Sequence, residues 1–95
     1  MPRYVMLSTL GPHGAATLAE APERLKEVNA EVEALGVTVL EQYALLGQYD
    51  FLNIVEAADD ATMARLAVTL ASRGTLKTLT LPAVSVDELI ARLRT

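Results

Sequence analysis

The chain reads as an α+β protein built on an antiparallel sheet, and three observations carry that reading. Four apolar runs of strand length alternate with helical stripes in the order β-α-β-β-α-β-α. The two middle runs are joined by only four residues, Gly47-Gln48-Tyr49-Asp50, which makes them antiparallel neighbours. The composition, 52% hydrophobic and 21% charged, is that of a folded chain rather than a disordered one. Its 95 residues suit one compact domain over residues 1–95. A domain this small buries only about 60–65% of its unfolded surface, so its stability is modest unless a partner adds burial.

Residues 3–10 read as a buried strand, and Gly11-Pro12-His13-Gly14 as a loop with three backbone punctuators in four residues. Residues 15–20 leave room for an extra helical turn. The first main helix opens near Pro22 and carries Leu25, Val28, Val32 and Leu35 as its apolar stripe; Gly36 marks its end. Val37–Leu46 is the second strand and Phe51–Ala57 the third. Asp59 or Asp60 caps the next helix, with Met63, Leu66, Ala67 and Leu70 inward and Gly74 as its left-handed terminator. Residues 75–81 form the fourth strand. Ser85-Val86-Asp87-Glu88 is a capping box, with Val84 and Leu89 spaced as a hydrophobic staple. The short helix it opens places Val86, Leu89, Ile90 and Leu93 on one face. The first six elements match the ferredoxin-like βαββαβ arrangement, in which two helices cover one face of an antiparallel sheet.

That arrangement leaves one sheet face too many. Val5 and Leu7 point one way along the first strand, and Tyr4, Met6 and Leu10 the other; in the third, Leu52 and Ile54 oppose Phe51 and Val55. A sheet with one wet face alternates apolar with polar, whereas this one is apolar on both sides. The final helix, about 15 Å long, is too short to cover a four-stranded sheet. A homodimer packed sheet against sheet, a dimeric α+β barrel, is the expected solution.

Several function classes fall away at this level. The absence of cysteine excludes disulfides, thiolate nucleophiles and iron–sulfur clusters, and a single histidine builds no histidine-rich metal site. No metal and no cofactor is expected. A net charge of −4 with eight scattered basic residues argues against nucleic acid. No stretch has the roughly 20 apolar residues of a bilayer span. Met1-Pro2-Arg3-Tyr4-Val5 enters a strand at once, without the apolar core of a signal peptide, so a cytoplasmic location is expected.

Five residues are candidates for binding a small ligand: His13, Tyr43, Tyr49, Asp50 and Asn53. Tyr49 and Asp50 could line a pocket mouth, but a turn selects the same residues for backbone reasons, with Gly47 supplying a positive φ, and that reading is favoured. Tyr43 shares a strand face with Glu41, Val37, Val39 and Leu45, and filling a dimer interface is its favoured role. Asn53 interrupts an apolar face. It must find a ligand, a water, or Ser8 and Thr78 on flanking strands. His13, between Pro12 and Gly14, suits a solvated loop better than a general base.

Several segments together resemble the small bacterial GYD domain family. Tyr4-Val5-Met6-Leu7 resembles its opening strand, Gly36–Leu46 its second strand and Leu46-Gly47-Gln48-Tyr49-Asp50 its signature turn. Asn53-Ile54-Val55-Glu56-Ala57-Ala58-Asp59-Asp60 is similar to the strand and helix start that follow, and residues 74–81 to the last strand. The resemblance implies a ferredoxin-like fold of the dimeric α+β barrel type. It carries over no catalytic residue, because none is established for the family, and proteins of similar fold range from cofactor-free monooxygenases to amino-acid-sensing domains. The expected function is a homodimeric small-ligand-binding or interaction module. The alternative is a cofactor-independent oxygenase or isomerase acting on a small apolar substrate.

Overall fold

The computed structural model describes residues 1–95 apart from Thr75 and the side chains of Pro12 and His13. Strands β1 (Arg3–Leu10), β2 (Thr38–Ala44), β3 (Phe51–Glu56) and β4 (Leu76–Ala83) form one antiparallel sheet in the order β2-β3-β1-β4. Helix α2 (Arg24–Ala34) links β1 to β2, and α3 (Asp60–Ser72) links β3 to β4. Each crossover joins parallel strands separated by one antiparallel neighbour, so two split βαβ units interleave as the ferredoxin-like plan requires.

One face of the sheet carries the core. Tyr4, Met6 and Val55 pack with Val32, Val37, Ala57, Met63, Leu66 and Leu70 from the helices and connections, all of them buried. Helix α3 is seated well. The Asp59 carboxylate caps it, accepting from the Thr62 N–H at 2.8 Å and the Thr62 hydroxyl at 2.7 Å. These bonds hold the Asp59 carboxyl below its ordinary range. Met63, Leu66 and Leu70 then line the inward stripe, with Ala67 half-buried between them. Helix α2 sits more loosely: of its stripe only Val32 is buried, and Leu25, Val28 and Leu35 are half-buried. Arg73, just past α3, forms an ion pair with Glu31 of α2 and joins the two helices at that end.

Three expectations need correction. The segment 11–14 is not a loop: a full helix, α1 (Pro12–Glu20), begins at Pro12. Proline at the first helical position loses no needed N–H, and the Gly14 N–H closes the first turn onto the Gly11 carbonyl at 3.0 Å. Three helices therefore cover the core face, not two. Secondly, Val39 does not share a face with Tyr43 and Glu41. Pairing with β3 shifts between Val39 and Glu41, so Val39 opposes Val55 on the core face while Tyr43 opposes Leu52 on the other. A one-residue β-bulge reverses the facing of every residue that follows it. Thirdly, β4 runs two residues further than predicted, to Ala83, and Thr75 lies outside the described residues.

The last helix, α4 (Val86–Leu93), is capped as predicted, with the Glu88 N–H donating to the Ser85 hydroxyl at 3.1 Å. All its residues are exposed, including Val86, Leu89, Ile90 and Leu93. The chain extends 52 × 27 × 18 Å. Its radius of gyration is 14.5 Å, against about 12 Å for a compact chain of this length, because α4 stands off the body.

At the α3 end of the core, the Tyr4 hydroxyl donates to Asp60 Oδ1 at 2.6 Å. That hydrogen bond, together with burial and the nearby carboxylates, pushes the Tyr4 phenol up to about 12. The folded state thus favours the protonated phenol. The stability it contributes is complete below pH 10, where an unfolded tyrosine begins to ionise, and is lost as the pH rises toward 12. Alkaline unfolding followed between pH 9.5 and 12 is expected to lose this component in Tyr4→Phe, which leaves a flatter profile. An identical profile in the variant would show that Tyr4 carries no such linkage.

Candidate functional site

The sheet offers two quite different surfaces, one enclosed by helices and one bare. On the helix side, α1 and α2 do not close fully on the strands, and a cavity of about 100 Å³ remains between them. Its walls are apolar, with Leu10, Leu18, Leu25, Phe51 and Leu76 among them. Its floor is partly polar. Ser8 is 5% exposed, pairs with Thr78 across the β1–β4 ladder, and both side chains line the cavity. Asn53 lies one pair further along, opposite Met6 on β1 and Gln42 on β2. Its Oδ1 is buried without a hydrogen-bond partner. At the rim, Asn29 of α2 and Gln42 of β2 exchange amide hydrogen bonds of 2.8 and 3.3 Å, closing one side.

The opposite face of the sheet has no cover. Val5, Leu7, Leu52 and Ile54 form its centre by register, with Leu79, Leu81 and Tyr43 around them at 43%, 46% and 53% exposure. Charged side chains stand at its margins, including the Arg3–Glu56 pair at 3.4 Å. Tyr43 donates its hydroxyl to Glu41 Oε2 at 2.9 Å, which raises the phenol above its ordinary range. An apolar centre with a polar rim is the anatomy of a protein interface.

The β2–β3 connection is held by a few specific backbone features. Gly47 has φ +120°, a conformation that side chains resist. Asp50 pins the loop to β1: its N–H donates to the Ser8 carbonyl at 2.8 Å, and its Oδ2 accepts from the Leu10 N–H at 2.7 Å. Leu10 lies beyond the last β1–β3 pair, Ser8↔Phe51, so the carboxylate takes an N–H that the ladder leaves over. Its carbonyl also accepts from the Leu45 N–H at 2.8 Å, closing the loop. The Asp50 carboxylate thus bonds across to the neighbouring strand. Tyr49 is half-buried in the same loop.

The five residues singled out from the sequence do not converge. Asn53 faces the cavity, Tyr43 the open sheet face, and Tyr49 and Asp50 belong to the loop; the His13 side chain lies outside the described residues. Sequence reasoning missed Asn29, Gln42 and Thr17 as cavity-lining groups. Gln42 was legible in principle, since it stands directly opposite Asn53 in the hairpin, but the bulge hid which face it takes. Among the described residues no group of three His, Cys, Asp or Glu side chains is placed to hold a metal, and no helix is long and apolar enough to cross a membrane.

The profile of the GYD domain matches residues 4–93. The chain belongs to the GYD domain family. A Thermus thermophilus protein described as a glutamine synthetase and cystathionine beta-lyase binding protein is 58% identical to it over 95 residues, covering 99% of this chain and all of that protein. This GYD domain is also similar in fold to the crystal structure of FFRP-DM1, with a TM-score of 0.61 at 19% identity over 88% of this chain and 100% of that one. The second likeness speaks for the fold alone. The first spans essentially the whole length of both chains.

Proposed function

We propose that this GYD domain is a homodimeric protein-binding module, paired through its open sheet face and presenting α4 to a partner enzyme. The observation that carries the proposal is the uncovered apolar face centred on Val5, Leu7, Leu52 and Ile54. A flat face of this kind is self-complementary under a two-fold axis, since each copy offers the same strands to the other. Removing its side chains from water contributes about 25 cal/mol per Å² of apolar area, the largest single term available to the assembly. Expected partners follow from the relative, whose description names glutamine synthetase and cystathionine beta-lyase. Helix α4 suits the second contact: it is locally stabilised by its cap, apolar on one side, and unpacked.

The test is to mix the purified protein with each purified enzyme and measure mass by light scattering after gel filtration. A two-chain species that co-elutes with at least one enzyme is expected. Leu89→Glu together with Leu93→Glu should abolish co-elution and leave the two-chain mass intact. A dimer that binds neither enzyme would remove the binding role, and a lone chain would remove the sheet-face pairing.

A further inference from the structure

We infer that the cavity between the helices and the sheet is a binding site for a small uncharged molecule with an amide or alcohol head and a short aliphatic body. The inference is separate from the dimer and from enzyme binding, because the cavity lies on the opposite face of the sheet.

Polar groups on the cavity floor are the first argument. Ser8 is 95% buried and lines the cavity, where its hydroxyl is available both to donate and to accept. The Asn53 amide faces the same space with its Oδ1 unpartnered, and exchanging the amide's two ends would only leave its NH₂ orphaned instead. A buried amide oxygen left without a donor destabilises the fold, so an occupant that satisfies it is favoured. An occupant that both donates and accepts would satisfy hydroxyl and amide together.

Charge and size define the class further. Among the described lining residues Arg24 alone is charged; it pairs with Glu27 at 3.4 Å and is exposed, leaving nothing at the floor to compensate a charged head. An apolar cavity of about 150 Å³ holds benzene, so the 100 Å³ here suits a molecule of about four to six heavy atoms. Leu10, Leu18, Leu25 and Phe51 would then enclose a short branched aliphatic body. The competing occupant is a cluster of about three waters.

The probe is isobutyramide, with isobutyrate as its charged counterpart of the same shape. Binding is read from the Asn53 side-chain NH₂ resonances of the labelled full-length protein, and from its melting temperature. Isobutyramide should shift those resonances saturably, with a Kd of about millimolar for so few atoms, and raise the melting temperature. Isobutyrate should do neither. Ser8→Ala, read from those resonances, and Asn53→Leu, read from the ligand-induced rise in melting temperature because it lacks the reporter amide, should each weaken isobutyramide binding about tenfold, the loss of one hydrogen bond. Asn53→Leu should itself melt higher than the parent, which separates lost binding from lost folding. Resonances unmoved by isobutyramide would mean a water cluster only, and variants that bind as the parent does would equally overturn the assignment.

Discussion

Ile54→Lys is expected to convert the proposed dimer into a folded single chain. Ile54 sits at the middle of the open face, opposite Val5 on β1 and Glu41 on β2. In an isolated chain this face meets water, and a lysine there lays its stem along the sheet while the ammonium stays solvated, at little cost. In a face-to-face dimer two ammonium groups would instead be trapped near the symmetry axis in a dry apolar layer. A buried charge without a partner costs several kcal/mol, so the dimer dissociation constant should rise by about a hundredfold or more. Sedimentation velocity reads the mass directly. The outer face of α3 supplies the control: Val68→Lys, at a residue 70% exposed, should leave the mass unchanged. Retention of both the two-chain mass and the parent melting temperature by Ile54→Lys would show that the bare face is not the interface.

The second large effect lies in the core. Leu66 is fully buried at the centre of α3's inward stripe, packed among Met63, Leu70, Val55 and the strand residues Tyr4 and Met6. Truncating it to alanine removes apolar contact and leaves a cavity that well-seated neighbours cannot close, at about 3 kcal/mol. For a chain of this length that corresponds to a melting temperature roughly 12–24 °C lower. Denaturant unfolding at fixed protein concentration should show a lower midpoint at unchanged slope, because stability of an assembling protein depends on concentration. A shift of only a few degrees would mean that α3 is not the helix on which the sheet depends.

These two substitutions address opposite faces of one sheet, and the sequence distinguishes those faces unevenly. Along β1 and β3 the alternation is clean. Tyr4, Met6 and Val55 were assignable to one side and Val5, Leu7 and Ile54 to the other, because a regular strand has a period of two. Along β2 the alternation misleads: the bulge near Leu40 is a backbone event with no fixed residue signature, and it moves Tyr43 and Val39 to opposite faces. At 11–14, glycine and proline read as a loop, yet the same proline opens α1, since it is as well suited to a first helical turn as to a bend. The loop residues Gly47 and Asp50 were legible as a unit. Their partner on β1 was not, because a hydrogen bond across 40 residues leaves no periodicity behind.

What the sequence by itself determined is therefore local and repetitive: seven of the eight elements, the caps at Asp59 and Ser85, and an apolar excess that two helices could not hide. Family membership belongs here too, since it rests on the sequence match over residues 4–93. The tertiary structure alone decided the rest. It set the bulged register of β2, the distance at which α1 and α2 stand from the sheet, and the outward course of α4. Each is a balance between distant surfaces rather than a preference of neighbouring residues. The cavity over Ser8 and Asn53 exists only because helices of fixed diameter meet a twisted sheet imperfectly, a fact of packing that no single segment carries.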